Sequence, residues 1–327
     1  MDNNFNIVLI GAGYWGTNIA KNLVKLKKKF IVYDNNLNKS KIIKKRFSRN
    51  IIIKKNYEDL IKDKKKRFFI FATPPSKNFK LIKTALKNDK KIFIEKPGFK
   101  NVNEIKKIKK LYPKKIKNIT FGYIYLFNNH IHYIKKFIKN KKNGNLLYIK
   151  FQRQNLGPIR NDVDVSFDLS AHDLSILTYL FKKKLKLINH NSYKILNKTI
   201  ADISNISFKL GSFFVDINNS WLNPDKIRRI IIITTKKMLL FDEMNIHEKI
   251  KIYNKYAAYP KIEKLKNTFF SKQAKIYVGK NFSPKISEND PLLDEIKNFL
   301  GNQKKYIDKY TDINFAQNIL EILKKIN

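Results

Sequence analysis

The chain has 327 residues, 43% of them hydrophobic and 13% aromatic, enough to bury one large or two medium cores rather than stay disordered. It has no cysteine, which excludes a disulfide framework, a thiolate metal site and a cysteine nucleophile, and it lacks the run of about 18 apolar residues that crosses a membrane. The net charge is +43, yet only seven of the 69 basic residues are arginine and the lysines are spread along the chain, which reads as codon bias rather than specific nucleic-acid recognition.

The opening "MDNNFNIVLIGAG" has neither a basic segment nor a long apolar one, so no secretory signal is expected and the protein reads as soluble and cytoplasmic. Short β-branched or aromatic runs follow at 6–11, 30–34, 50–54, 67–73, 91–95 and 118–123, nearly continuous in apolar character, as strands buried on both faces should be. Between them, Ile19, Leu23 and Leu26, and later Phe79, Ile82 and Leu86, recur at helical spacing. This alternation predicts an α/β doubly wound parallel sheet over residues 1–123. A second domain is expected over 124–327. It starts with a helix near 129–140, a strand at 146–154, a loop, and a helix carrying "SFDLSAHDLSIL" (166–177). Successive strands from 183 to about 255 then predict a large, mostly antiparallel open sheet, and two helices close the chain.

"IGAGYWG" supplies Gly11, Gly13 and Gly16 in G-x-G-x-x-G spacing, with Tyr14 and Trp15 inside it, after a predicted strand and at the start of a helix. In that context the first glycine serves the tight turn, the second lets a pyrophosphate approach the backbone, and the third lets helix and strand pack closely. Asp34 ends the second strand 18 residues after Gly16, where a carboxylate accepts from ribose hydroxyls and repels a 2′-phosphate, favouring NAD over NADP. Thr73, Pro74 and Pro75 form a rigid turn after the fourth strand, and Glu95 and Lys96 precede Pro97 after the fifth. Both lie at the carboxyl edge, where such sheets bind ligands.

"GAGYWG", "ATPP", "EKP" and "DLSAHD" together resemble, in order and spacing, the glucose–fructose oxidoreductase/inositol dehydrogenase (Gfo/Idh/MocA) family, and the resemblance spans essentially the whole chain. "NLGPIRNDV" and "SWLNPDKIRR" are similar to its branch of UDP-N-acetylglucosamine and UDP-N-acetylglucosaminuronate 3-dehydrogenases. The resemblance implies an N-terminal Rossmann domain, a C-terminal α/β domain whose open sheet builds a dimer or tetramer, and hydride transfer between NAD and a sugar carbinol. It assigns the family's catalytic lysine to Lys96, and its aspartate and histidine to Asp168 and His172. Asn78 and Tyr123 stand where the family often has histidine, and Ala171 where many of this branch have proline.

One helical turn separates Asp168 from His172, so the carboxylate is expected to orient the imidazole. Histidine suits removal of a hydroxyl proton because it titrates near neutral pH. Lys96 would stabilise the developing alkoxide, or serve as the base itself. Arg153 and Arg160, scarce arginines in a lysine-rich chain, are expected with Asn155 to bind substrate phosphate, carboxylate or hydroxyls. Surface ion pairing is the alternative for these arginines, and more so for Arg228 and Arg229. His130 and His132 are expected at the surface, and Trp221 in sheet packing. No metal site is expected. The alternatives are an inositol-type polyol dehydrogenase and a non-catalytic NAD-binding regulator.

Overall fold

The computed structural model describes residues 5–47, 50–181, 183–196, 198–259, 273–301 and 305–326. Its contacts divide the chain into two compact units, residues 1–128 with 289–324, and 129–288 with 325–327.

The first unit alternates strands and helices in the expected way: β1 (Ile7–Ile10), α1 (Tyr14–Lys25), β2 (Phe30–Tyr33), α2 (Leu37–Phe47), β3 (Ile51–Ile53), α3 (Tyr57–Lys62), β4 (Phe68–Phe71), α4 (Pro75–Lys87), β5 (Lys91–Glu95), α5 (Val102–Leu111) and β6 (Ile119–Gly122). The six strands are parallel, in the order β3-β2-β1-β4-β5-β6. All four residues of β1 are buried, so both faces of the central strand are covered, as its unbroken apolar run requires. The order reverses between β1 and β4, and the crevice at their carboxyl ends is the ligand position of such sheets.

In the second unit, α6 (Asn129–Lys139) leads to β7 (Leu146–Gln154), then α7 (Ala171–Leu180), β8 (Lys186–Tyr193), β9 (Ile203–Leu210), β10 (Phe213–Ser220), β11 (Ile227–Thr234), β12 (Met238–Asp242) and β13 (Ile250–Tyr253). These strands form one seven-stranded sheet, ordered β13-β12-β11-β7-β10-β9-β8, in which only the β7–β10 pair is parallel. Burial alternates along β7, β9, β10 and β11, so one face is packed and the other is partly open. A hairpin of β14 (Lys255–Ala258) and β15 (Lys275–Val278) follows.

The boundary departs from the expected 123/124. The chain passes to the second unit after Asn128 and returns at Asn289. Helix α8 (Pro291–Phe299) packs Leu292, Ile296 and Phe299 into the same core as Leu9, Leu23, Val32 and Phe93. The short α9 (Lys305–Asp308) and most of α10 (Ile313–Ile326) complete that unit. The closing helices therefore belong to the parallel-sheet unit and not to the second domain. Their apolar stripes announce burial without naming the surface they cover.

Candidate functional site

The glycine turn between β1 and α1 is constrained from several sides. Gly11 has φ +97°, and a Cβ there would lie 2.5 Å from the Ala72 carbonyl oxygen. A Cβ on Gly16 would lie 2.0 Å from the Gly11 oxygen. A Cβ on Gly13 would meet nothing within 4 Å, which leaves open space in front of the turn. Helix α1 starts there with no side-chain cap and no acidic residue in its first turn, so its leading N–H groups keep their partial positive charge for an anion. Asp34 Oδ2 accepts from the Ala12 backbone N–H at 2.7 Å and Oδ1 from Asn36 at 2.8 Å, which fixes the carboxylate beside the turn. Tyr14 is 84% exposed at the mouth of this turn, whereas Trp15 packs toward the core. Space for a pyrophosphate, uncapped amides and a fixed carboxylate in one place fit a dinucleotide.

The next two turns are tied together by Asn78. Its Nδ2 donates to the Gly98 carbonyl at 2.6 Å, and its Oδ1 accepts from the Thr73 hydroxyl. Asn78 is buried, so the Thr73–Pro74–Pro75 turn and the Glu95–Lys96–Pro97 turn are held at a fixed spacing along the carboxyl edge. The Lys96–Pro97 bond is cis, and Lys96 is half-buried. Glu95, paired with Gly122 across the sheet, has Oε1 buried. Burial pushes its carboxyl up to about 7, against the pull of Trp15 and Lys96.

In the second unit, residues Ser166–Ser170 wind as a π-helix that continues into α7. Such a wide turn shifts the facing of Asp168 and His172 relative to a plain α-helix, and insertions of this kind often mark functional positions. His172 is half-buried, with its Nδ1 shielded from solvent. The stretch is anchored by its neighbours. Asp173, 1% exposed, receives Arg153 Nη2 at 2.8 Å and Nε at 3.1 Å, and Asn219 Nδ2 at 3.3 Å. Ser170 donates to Asn219, and Ser175 donates to the His172 carbonyl at 2.7 Å. Val165, Leu169 and Trp221 pack beneath it, which places Trp221 in the core as expected.

The arginines are engaged by groups of the protein itself. Arg153, expected to bind substrate, is 5% exposed, and its guanidinium serves the buried carboxylate of Asp173. Arg160 forks onto Asp162 at 2.8 and 2.6 Å and lies 3.7 Å from Asp168, so two carboxylates neutralise it. These contacts raise its pKa and hold the Asp162 carboxyl below its usual range. Arg228 donates to the Gln154 carbonyl at 2.9 Å and to Asn155 Oδ1, so this Asn155 oxygen is engaged. Arg229 pairs with Asp242 at the surface, the alternative considered for it. His130 is 4% exposed, 5.8 Å from the Phe241 ring, and burial lowers its pKa, so it is a core residue and not a surface one.

Glu295 on α8 went unsingled in the sequence. It is 1% exposed, and neither oxygen has a hydrogen-bond partner. Its position among Leu292, Ile296 and Phe299, in an i, i+3, i+4, i+7 stripe, is the signal that it faces inward.

Residues 5–123 match the family model of the oxidoreductase family with NAD-binding Rossmann fold, GFO_IDH_MocA. An uncharacterized oxidoreductase, YrbE, of Bacillus subtilis (strain 168) is 22% identical over 204 residues, 61% of this chain and 60% of its own length, so the match spans less than two thirds of that relative. UDP-N-acetylglucosamine 3-dehydrogenase GnnA from Acidithiobacillus ferrooxidans superposes with a TM-score of 0.75 at 17% identity, over 99% of this chain and 96% of its own. Levoglucosan dehydrogenase, in complex with NADH and L-sorbose, superposes with a TM-score of 0.74 at 13% identity, over 99% and 95%. At these identities the likeness is one of fold.

Proposed function

We propose that this chain, whose residues 5–123 match the NAD-binding Rossmann model of the Gfo/Idh/MocA oxidoreductase family, is an NAD-dependent dehydrogenase acting on a sugar CH–OH group. The observation that carries the cofactor is the glycine turn, with open space at Gly13 and Asp34 fixed to the Ala12 amide. Gly11, Gly13, Gly16 and the first turn of α1 would hold the pyrophosphate, with Tyr14 and Trp15 flanking it and Asp34 holding the adenosine ribose. Thr73, Pro74, Pro75, Glu95 and Lys96 line the other half of the carboxyl edge. NAD held there would supply the hydride acceptor for the carbinol carbon, or the hydride donor in the reverse direction. His172 takes the hydroxyl proton, Asp168 steadies the imidazole, and Lys96 donates a hydrogen bond to the same oxygen. The alternative assignment makes Lys96 the base.

For the substrate we propose a nucleotide sugar, UDP-N-acetylglucosamine or its uronic acid oxidised at C3, in surface-polysaccharide biosynthesis. The motif resemblance and the shared fold with GnnA support this choice. A second reading, a free sugar or an inositol-type polyol, is favoured by the arginines, since Arg153 and Arg160 are committed to carboxylates rather than left for a diphosphate. The partly open face of the seven-stranded sheet is proposed to join copies of the chain into a dimer or tetramer. Single-turnover reduction of bound NAD, followed by nicotinamide absorbance with each of the two UDP sugars and with inositol, separates the readings. Reduction by none of them, with no effect of His172→Ala on any sugar oxidised by the protein, would overturn the catalytic assignment.

A further inference from the structure

Among the described residues of the first unit, seven buried polar side-chain atoms lack a hydrogen-bond partner, and five of them fall on four residues: Trp15 Nε1, Glu95 Oε1, the Tyr123 hydroxyl and both carboxyl oxygens of Glu295. Buried polar groups are nearly always satisfied, so such a concentration requires a cause. The four residues are brought together by the fold. Trp15 opens α1 and Glu95 closes β5. Tyr123 follows Gly122, the β6 partner of Glu95, and α8 carries Glu295 into the core that Trp15 also packs against.

The Glu95 carboxyl lies over its sheet partner Gly122, with Oε2 3.1 Å from where a Cβ there would stand. Glu295 lies by the backbone of the next residue, Tyr123, and the Glu95 charge opposes its ionisation. The other groups that bear on the pair are few. Lys96, by its charge and its backbone N–H, favours ionised Glu95, and Trp15 does the same from α1. The Tyr123 backbone N–H favours ionised Glu295 without reaching hydrogen-bond geometry. The Tyr123 hydroxyl is itself held neutral by burial and by Asp312. One lysine is set against two buried carboxyls, so ionisation of the second is disfavoured until a further positive charge arrives. Glu295 is sealed, whereas Glu95 is half-buried, so protons enter and leave through Glu95.

Asp34 at the end of β2 assigns the adenosine half of a dinucleotide to the β2–β3 side of the switch point. The nicotinamide half then falls on the β4–β5 side, where Glu95 ends its strand. The oxidised ring is a cation and the reduced ring is neutral. We propose that Glu95 and Glu295 share one proton in the cofactor-free protein, that the oxidised nicotinamide expels this proton to solvent through Glu95, and that the reduced form leaves it in place. Hydride arrival removes the ring charge, and the pair takes one proton back. Glu295 is thus a positioning residue that tells the site which redox form is bound. The inference rests on the NAD reading.

The test needs no substrate. Infrared spectra of the cofactor-free protein at neutral pH are expected to show a protonated buried carboxyl, absent in Glu295→Gln. Proton release, followed with a pH indicator in weak buffer, is expected on binding NAD+ and not on binding NADH. NAD+ affinity should rise by up to about tenfold per pH unit until the pair is ionised, and stay flat in Glu295→Gln. Equal proton release by the two forms, or no protonated carboxyl in the wild type, overturns the proposal. The NAD+ against NADH comparison is made on the wild-type protein, so it decides even where Glu295→Gln does not fold. Failure of both dinucleotides to bind, seen by tryptophan fluorescence, removes the NAD reading and the linkage with it. The carboxyl band would then persist, which distinguishes the two failures.

Discussion

Arg153 on β7 and Asp173 on α7 form an ion pair sealed from solvent, 2.8 Å between Nη2 and Oδ1, with side chains 6% and 2% exposed. The pair fixes the residue next to His172 to the centre of the sheet. A buried carboxylate that loses its partner keeps its desolvation cost, so Arg153→Ala is expected to destabilise the protein by about 3–5 kcal/mol. Arg153→Met with Asp173→Leu, which removes both charges, should recover most of that loss. Urea denaturation of the two variants decides it. Equal losses in both would show that the pair contributes through shape and not through charge.

The fingerprint glycines should separate folding from binding. Gly16→Ala places a Cβ against the Gly11 oxygen and is expected to lower the melting temperature sharply. Gly13→Ala has a φ of −74° and open space, so its stability should stay within about 0.5 kcal/mol of wild type. The new methyl would occupy the open space proposed for the pyrophosphate, and NAD affinity should then fall by at least about tenfold. Calorimetric titration with NAD and a melting curve on each variant check this.

His172→Ala is expected to lower hydride transfer by about 10²–10⁴-fold while leaving NAD affinity within a factor of about two, as for a proton acceptor that does not hold the cofactor. Lys96→Met distinguishes the two assignments of the base. If His172 is the base, the pH-rate profile of Lys96→Met keeps its acidic limb, whereas if Lys96 is the base the limb disappears.

The buried carboxyls predict how stability changes with pH. The Glu95 carboxyl is raised from its ordinary 4.5 to about 7, and Glu295 is raised well above the ordinary value. A raised carboxyl contributes stability that is complete below about 4.5 and is lost as pH rises through about 7. His130, lowered by burial, gives the opposite slope at acidic pH. Denaturation midpoints from pH 5 to pH 8 should therefore fall more steeply in wild type than in Glu295→Gln, with the His130 contribution common to both. Parallel curves would show that Glu295 stays ionised in the folded protein.

The first unit was largely legible because its signals are local. Four consecutive apolar residues in β1, the spacing of Gly11, Gly13 and Gly16, and Asp34 at the end of β2 each follow from one stretch of chain. What was hidden depends on partners distant in sequence. Nothing near Arg153 marks Asp173 as its partner, since the pair meets only when α7 crosses β7. Scarcity made the arginines look like ligand-binding residues, but a guanidinium suits a buried carboxylate equally well. The π-turn at Ser166–Ser170 has no periodicity of its own, and Glu295 looked solvated until its neighbours on α8 were seen to be core.

The return of residues 289–324 to the first unit sets an order on synthesis. A ribosome releases all of residues 129–288 before Leu292, Ile296 and Phe299 can reach the core they share with Leu9 and Phe93. The core around Leu9 and Phe93, begun first, is therefore the last to receive all of its residues.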